Sequence, residues 1–314
     1  MTDASRIPAF VNPGSGNSEK ARDALASTGR FEIQEVEPAE LEKQIRQAVE
    51  NGATRVMVAG GDGTIGIGAS VVAGTEVELA ILPAGTLNHF AKDMGVPTEL
   101  PVAAELATGN AIVITDVAYV GDRLFLNTSS IGAYVIFARV RERLEVTLPY
   151  RVASVLALIS TLLRMRTIAV ELEIEGKSQI YHTPLVFLGV DERELQFPTL
   201  GKRVANGRRG LHVMVVRWRG TARLVALALG AIFRGVDEAS RSIELDSFIV
   251  ERCTITMKKS LARVAVDGEI ESMPTPLEYR IERDKVRVVA GSPPPPREDG
   301  GAIEAGDATR STAG

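Results

Sequence analysis

Residues 55–64, Arg55-Val56-Met57-Val58-Ala59-Gly60-Gly61-Asp62-Gly63-Thr64, run from a strongly apolar strand straight into a glycine-rich turn with an acid inside it. An apolar run without alternation is what a strand buried on both faces requires. A chain turning sharply from strand to helix brings backbone N–H groups close to an anion, and side chains would obstruct that approach. Exposed amides and the helix dipole favour phosphate, and Thr64 adds a hydroxyl donor. Asp62 is the odd member, because a carboxylate beside phosphates is repulsive unless a metal ion or a hydroxyl lies between them. It is therefore the candidate to meet Mg²⁺ or a ribose; the plainer alternative is that it caps the next helix.

Around this stretch, short apolar strands alternate with amphipathic helices. Ile7 to Val11 reads as a strand, Asn12-Pro13-Gly14-Ser15-Gly16-Asn17 as a loop, and Ser18 as the cap of a helix ending before Gly29. Phe31 to Val36 is a strand, and Pro38 opens a helix that stops at Asn51-Gly52. Val77 to Leu82 is a fourth strand, running into Pro83-Ala84-Gly85-Thr86-Leu87-Asn88. Such alternation predicts a mainly parallel sheet covered on both faces, with ligands beyond the carboxyl ends of its strands. All three glycine-rich loops fall at such ends.

After Gly109 the texture turns β-rich. Ile112 to Val120 and Leu124 to Asn127 read as a hairpin. Further strands are expected at Ala169–Ile174, Pro184–Val190, Leu211–Val216, Phe248–Met257, Arg263–Val266, Leu277–Ile281 and Val286–Val289, with helices at Val152–Leu163 and Ala222–Phe233. Neither helix reaches the roughly 18 uninterrupted apolar residues of a membrane span. Arg151, Arg164, Arg166, Arg223 and Arg234 flank these apolar runs, leaving open an assignment to core or to lipid exchange with a bilayer. Pro293 to Pro296 and the tail behind them have little to bury and are expected to be disordered.

The 314 residues suggest two domains of ordinary size. The expected division is 1–125 for a nucleotide-binding α/β domain and 126–290 for a β-rich substrate domain, whose last strand has the option of returning to the first. Residues 291–314 form the tail. A single Cys253 excludes an internal disulfide, and Met1-Thr2-Asp3-Ala4-Ser5 lacks the basic and apolar regions of a secretory leader, which points to the cytoplasm. Three scattered histidines and one cysteine exclude zinc-type spacing. The net charge of -4 hides an asymmetry: residues 134–234 hold 16 Lys+Arg against 8 Asp+Glu, net +8, leaving -12 for the remainder. A basic middle segment suits an anionic membrane or a phosphate-rich ligand.

Gly61-x-Gly63-x-x-Gly66 formally matches the dinucleotide fingerprint. That fingerprint also needs an acid about 20 positions on, where this chain has Ile81-Leu82-Pro83-Ala84-Gly85. No Gly-Lys-Ser/Thr follows any glycine loop, and no Gly-x-Ser-x-Gly elbow is present. Asp267-Gly268-Glu269, after an apolar strand, reads by itself as a hairpin turn.

Taken together and in order, Asn12-Pro13-x-Ser15-Gly16, Gly60-Gly61-Asp62-Gly63-Thr64, Pro83-x-Gly85-Thr86-x-Asn88-x-Phe90-Ala91 and Asp267-Gly268-Glu269 resemble the diacylglycerol kinase catalytic-domain family, which includes YegS-like lipid kinases and sphingosine kinases. The resemblance implies an amino-terminal α/β domain of the phosphofructokinase/NAD-kinase-like kind that binds ATP, and a carboxy-terminal β-sandwich, with a lipid entering between them. It places Asn12, Pro13, Ser15, Gly16, Gly60, Gly61, Asp62, Gly63, Thr64, Gly85, Thr86 and Asn88 around the nucleotide, Asp62 near a catalytic Mg²⁺, and Asp267 with Glu269 at the acceptor hydroxyl. Implied with it are a diacylglycerol-like substrate, peripheral membrane association, no nucleic-acid partner, and room for a homodimer. Three positions depart from the family pattern: Ile65-Gly66-Ile67 where x-Asn-Glu is common, His89 where an aspartate is frequent, and Arg208-Arg209-Gly210 where bacterial members carry acids that hold a structural Mg²⁺. The glycine-aspartate element is shared with NAD kinases, and a non-catalytic nucleotide- or lipid-binding module of the same fold is a third reading.

Overall fold

The computed structural model describes residues 6–164, 166–195, 200–204, 206–217 and 245–291. The expected helix at Ala222–Phe233 and the tail beyond Gly291 lie outside them.

The amino-terminal part follows the predicted alternation: β1 (Ile7–Val11), α1 (Ser18–Thr28), β2 (Phe31–Glu35), α2 (Pro38–Glu50), β3 (Arg55–Gly60), α3 (Asp62–Val72) and β4 (Glu78–Pro83). These strands lie in the order β2-β1-β3-β4, all parallel. Strand bounds shift by a residue at β2 and β4, and so does the start of α1. Asn17, not Ser18, is the N-cap of α1, and it makes no side-chain cap hydrogen bond. The helices bury Leu25, Leu41, Ile45, Ile65 and Val72 against Val56, Met57, Val58 and Leu79 of the sheet. Beyond β4 come two short helices, α4 (His89–Asp93) and α5 (Leu100–Leu106), the latter opened by a proline in its first turn.

The β-rich part begins with β5 (Ile112–Val120), β6 (Arg123–Phe125) and β7 (Thr128–Gly132). A helical hairpin unforeseen in its first arm follows, α6 (Ala133–Glu145) and α7 (Tyr150–Arg164). Then come β8 (Ile168–Ile174), β9 (Lys177–Thr183), β10 (Leu185–Val190), the small pair β11 (Arg193–Leu195) and β12 (Leu200–Arg203), and β13 (Leu211–Val216). The last described elements are β14 (Leu245–Val250), β15 (Arg252–Met257), β16 (Leu261–Val266), β17 (Glu269–Pro274) and β18 (Leu277–Val289).

Two expectations need correction. The single strand at Phe248–Met257 is two strands in two sheets: β14 pairs with β13, while β15 pairs with β8 and β18. The crossing falls at Glu251, whose carbonyl accepts from Ile281 N at 3.0 Å. Conversely, the two strands expected at Leu277–Ile281 and Val286–Val289 are one, with an irregularity between Glu282 and Val286 and a positive φ of 55° at Asp284.

β18 is the element that joins the two halves. Its end runs parallel to β4, its length pairs antiparallel with β5, and its start pairs with β15. The first sheet therefore holds ten strands, parallel on one side and antiparallel on the other. A second, wholly antiparallel sheet, β14-β13-β10-β7-β16-β17, packs against the antiparallel side. The core between them holds Phe125, Val170, Leu188, Val213, Ile255, Val264, Leu277 and Tyr279. This is the α/β-plus-sandwich architecture expected from the sequence.

Candidate functional site

The glycine-rich turn after β3 becomes the first turn of α3. Gly61 is the N-cap, without a side-chain cap, so the first amides of the helix lie at the carboxyl end of β3, a position suited to an anion. Two other loops close on this turn. Asn12 donates from Nδ2 to Thr64 Oγ1 at 3.0 Å and accepts from Gly14 N at 2.9 Å. Gly85 comes so close to Gly61 that a Cβ on Gly85 would lie 2.4 Å from the Gly61 Cα. Asn88, buried in a left-handed conformation, fixes its own loop by accepting from Gly85 N at 3.1 Å and donating to Gly85 O at 2.8 Å. Pro13, Gly16 and Thr86 stand exposed at the rim, and Ser15 donates its amide to Asn12 O at 3.1 Å.

Asp62 does cap a helix, though not its own. Its oxygens accept from His89 N at 3.1 Å and Phe90 N at 3.0 Å, pinning the start of α4. The departure at His89 leaves this bond intact, because the backbone makes it and the side chain is exposed. The departure at Ile67 has a packing account: the side chain joins the core under α3. A Cβ on Gly66 would meet open space, whereas one on Gly68 would lie 2.8 Å from Val58 Cγ2. The third glycine of a dinucleotide fingerprint exists for close helix–strand packing; here that packing is made two residues later, in agreement with the missing acid.

The β16–β17 turn is the Asp-Gly hairpin that the sequence suggested, with positive φ at Asp267 (46°) and Gly268 (93°). Its aspartate is held by three backbone donors at the start of β7: Leu126 N at 2.7 Å to Oδ2, and Asn127 N at 2.8 Å and Thr128 N at 2.9 Å to Oδ1. Burial pushes the Asp267 carboxyl up to about 6 against those bonds, and the negative charge of Asp62 pushes in the same direction. The neighbouring Glu269 reaches the glycine turn itself: a Cβ on Gly63 would lie 2.3 Å from Glu269 Oε1. Arg123 steers that carboxylate, pairing with Glu269 at 2.8 Å and Glu271 at 2.9 Å. Stretches from opposite ends of the chain thus meet at one junction.

Three features of this region escaped sequence reading. The amides of 126–128 carry no side-chain signature. Arg193, nearly fully buried, pairs with Asp93 at the end of α4 at 3.0 Å and bonds Gly201 O at 2.9 Å, tying β11 and β12 to the α/β part. Arg209 bonds buried Asp116 through Nε at 2.9 Å and Asp284 through Nη2 at 2.7 Å, while Asp284 N donates to Asp116 at 2.9 Å. Burial alone would raise the Asp116 carboxyl, but the Arg209 guanidinium, the Asp284 amide and Asp191 together hold the group below the usual carboxylate range. Where the family pattern has acids, this chain has a cation of its own. Among the described residues no cluster of three metal-capable side chains exists, so a cation at the nucleotide would depend on its phosphates and on Asp62, whose bonded oxygens each retain a lone pair.

A parallel sheet with glycine-lined strand ends, completed by the last strand of an antiparallel sandwich, defines the class: an α/β protein joined to a β-sandwich. Residues 6–120 match the diacylglycerol kinase catalytic domain. It is 35% identical over 107 residues to "Diacylglycerol kinase" of Mycobacterium tuberculosis (strain CDC 1551 / Oshkosh), covering 32% of this chain and 35% of the relative. It is 31% identical over 161 residues to "Probable lipid kinase YegS-like" of Cronobacter sakazakii (strain ATCC BAA-894), covering 49% of this chain and 52% of the relative. The matches thus span between a third and a half of the relatives' length. Crystal structures from Bacillus anthracis str. Sterne share the fold: one titled as that of a diacylglycerol kinase has TM-score 0.64 at 20% identity, and another has 0.69 at 22%, each covering 91% of this chain and 97% of the other.

Proposed function

We propose that this protein is an ATP-dependent lipid kinase that moves the γ-phosphoryl group to the hydroxyl of a diacylglycerol-like lipid at a membrane surface. The observation that carries the reading is the meeting of the glycine turn with the acidic hairpin, Glu269 against Gly63 and the Asp62 charge acting on Asp267. Phosphoryl transfer asks little covalent chemistry of a protein beyond alignment, charge neutralisation and a proton acceptor.

The residues divide that work. Amides of the first turn of α3, with Thr64 held by Asn12, bind phosphate oxygens. The Gly61–Gly85 contact keeps the cradle free of side chains, so the loops fit a triphosphate. Asp62 locks the third loop to the first and is the carboxylate available to Mg²⁺, which supplies charge neutralisation across the phosphates when bound. Asp267, raised to about 6, is ionised at pH 7 and takes the acceptor's proton as the new O–P bond forms and the bond to the leaving ADP oxygen breaks. Glu269, steered by Arg123, keeps the hairpin against the cradle.

The test is incubation with γ-labelled ATP, Mg²⁺ and a panel of diacylglycerol, sphingoid base and NAD, with Asp267→Asn as control. Label in the lipid, lost in the variant, is the expected result. Label in NAD alone, or in nothing while ATP still raises Tm, overturns it.

A further inference from the structure

The helical hairpin α6–α7 carries an apolar face that no other described element covers. On α7, Ala153, Ala157 and Thr161 are buried, at spacing i, i+4, i+8. The other side presents Val152, Leu156 and Ile159, 46%, 43% and 42% exposed, at i, i+4, i+7, and Val146 in the connecting turn is 83% exposed. Most of the remaining large exposed apolar residues are scattered singly, on α5, β5, β9 and β16; a contiguous stripe is different and marks a contact surface. A core helix would turn such a stripe inward, and at fifteen residues α7 is too short to cross a bilayer.

Charge identifies the occupant. Residues 134–166 hold six arginines against two glutamates, net +4, so with -4 for the whole chain the remainder carries -8. Exposed Arg139 and Arg143 precede the turn, and exposed Arg166 follows α7. An apolar stripe bounded by cations, on a molecule acidic elsewhere, fits a surface apolar beneath and anionic above. It also orients the molecule, because the acidic remainder is repelled.

We propose that the α6–α7 hairpin docks on an anionic lipid bilayer, with Val146, Val152, Leu156 and Ile159 entering the headgroup boundary and Arg139, Arg143 and Arg166 meeting lipid phosphates. The inference deepens the lipid-acceptor reading and rests on it, naming the face through which the acceptor arrives. The placement is apt: α6 leaves directly from β7, the strand whose first amide holds Asp267.

The experiment is sedimentation of the full chain with vesicles of phosphatidylcholine, with and without phosphatidylglycerol, comparing wild type with Leu156→Glu/Ile159→Glu and with Arg143→Glu/Arg166→Glu. Both pairs are exposed, and unchanged circular dichroism checks their folding. Wild type is expected to bind the anionic vesicles, the apolar pair to lose roughly tenfold or more in partition, and the arginine pair to lose the preference for phosphatidylglycerol. Phosphorylation of a short-chain, monomeric diacylglycerol should stay as in wild type. Equal partition of wild type and the apolar pair overturns the proposal, as does a shift of that pair from dimer to monomer with vesicle binding intact, which would make the face a contact between copies. Docking that depends on the stripe, without transfer to any lipid, upholds the docking face and sinks the kinase reading.

Discussion

Asp62 and Asp267 lie on either side of the same junction, and both spend their carboxylate oxygens on amides of another element: His89 and Phe90 for Asp62, Leu126 to Thr128 for Asp267. What differs is the surroundings. Asp62 opens a helix at the rim of the cradle, whereas Asp267 sits in a two-residue hairpin where burial lifts it to about 6. Similar bonding at the carboxylate atoms thus serves a clamp on α4 in one place and, in the proposed reading, a proton acceptor in the other.

The sharpest way to break that contrast is Asp267→Asn. It is expected to lower turnover by about 10²–10⁴-fold while leaving the ATP-induced rise in Tm in place; a variant as active as wild type would remove the proton-acceptor role. Next in size is a change at Asp62. Asp62→Ala frees two amides at the start of α4 and should cost about 2 kcal/mol in urea unfolding, with Asp62→Asn near half of that. Equal stability of all three proteins would deny the clamp.

The pH profile joins the two residues. Transfer needs the ionised form of Asp267, so kcat/KM should fall as pH drops through about 6. Because the Asp62 charge pushes Asp267 up, removing it should move this limb to lower pH. A limb that stays in place in Asp62→Ala would show the two carboxylates to be uncoupled. Smallest is Gly63→Ala, which forces Glu269 to swing aside. A modest rise in KM for ATP is expected, about 1 kcal/mol in kcat/KM, and absent when Glu269 is already alanine.

The parallel half of the fold was legible because β1, β3 and β4 are largely apolar runs closed by asparagine, glycine or proline, while β2 (Phe31–Glu35) alternates and is followed by Pro38 at the start of α2. The sandwich was less so. Phe248–Met257 stays apolar enough to pass for one strand while the chain changes sheets at Glu251, with no glycine or proline to mark it. Arg283-Asp284-Lys285 looks like a turn but is an irregularity within one long strand. α6 follows a strand directly, and its helical spacing at Val135 and Ala138 was lost in β-rich surroundings. The same asymmetry holds at the site. The glycine turns and the Asp-Gly-Glu hairpin are side-chain patterns and could be read, whereas the amides that grip Asp267 exist only after β7 has folded beside β16.

The Arg209 bridge between Asp116 and Asp284 has a consequence for how this molecule meets its environment. A counter-ion that is part of the polypeptide cannot be diluted, exchanged or chelated, so the seam between β5, the approach to β13 and the bend in β18 keeps its neutralising charge when dissolved divalent ions run scarce. Thermal unfolding of the ligand-free protein should then be indifferent to a chelator: the framework carries its own ballast.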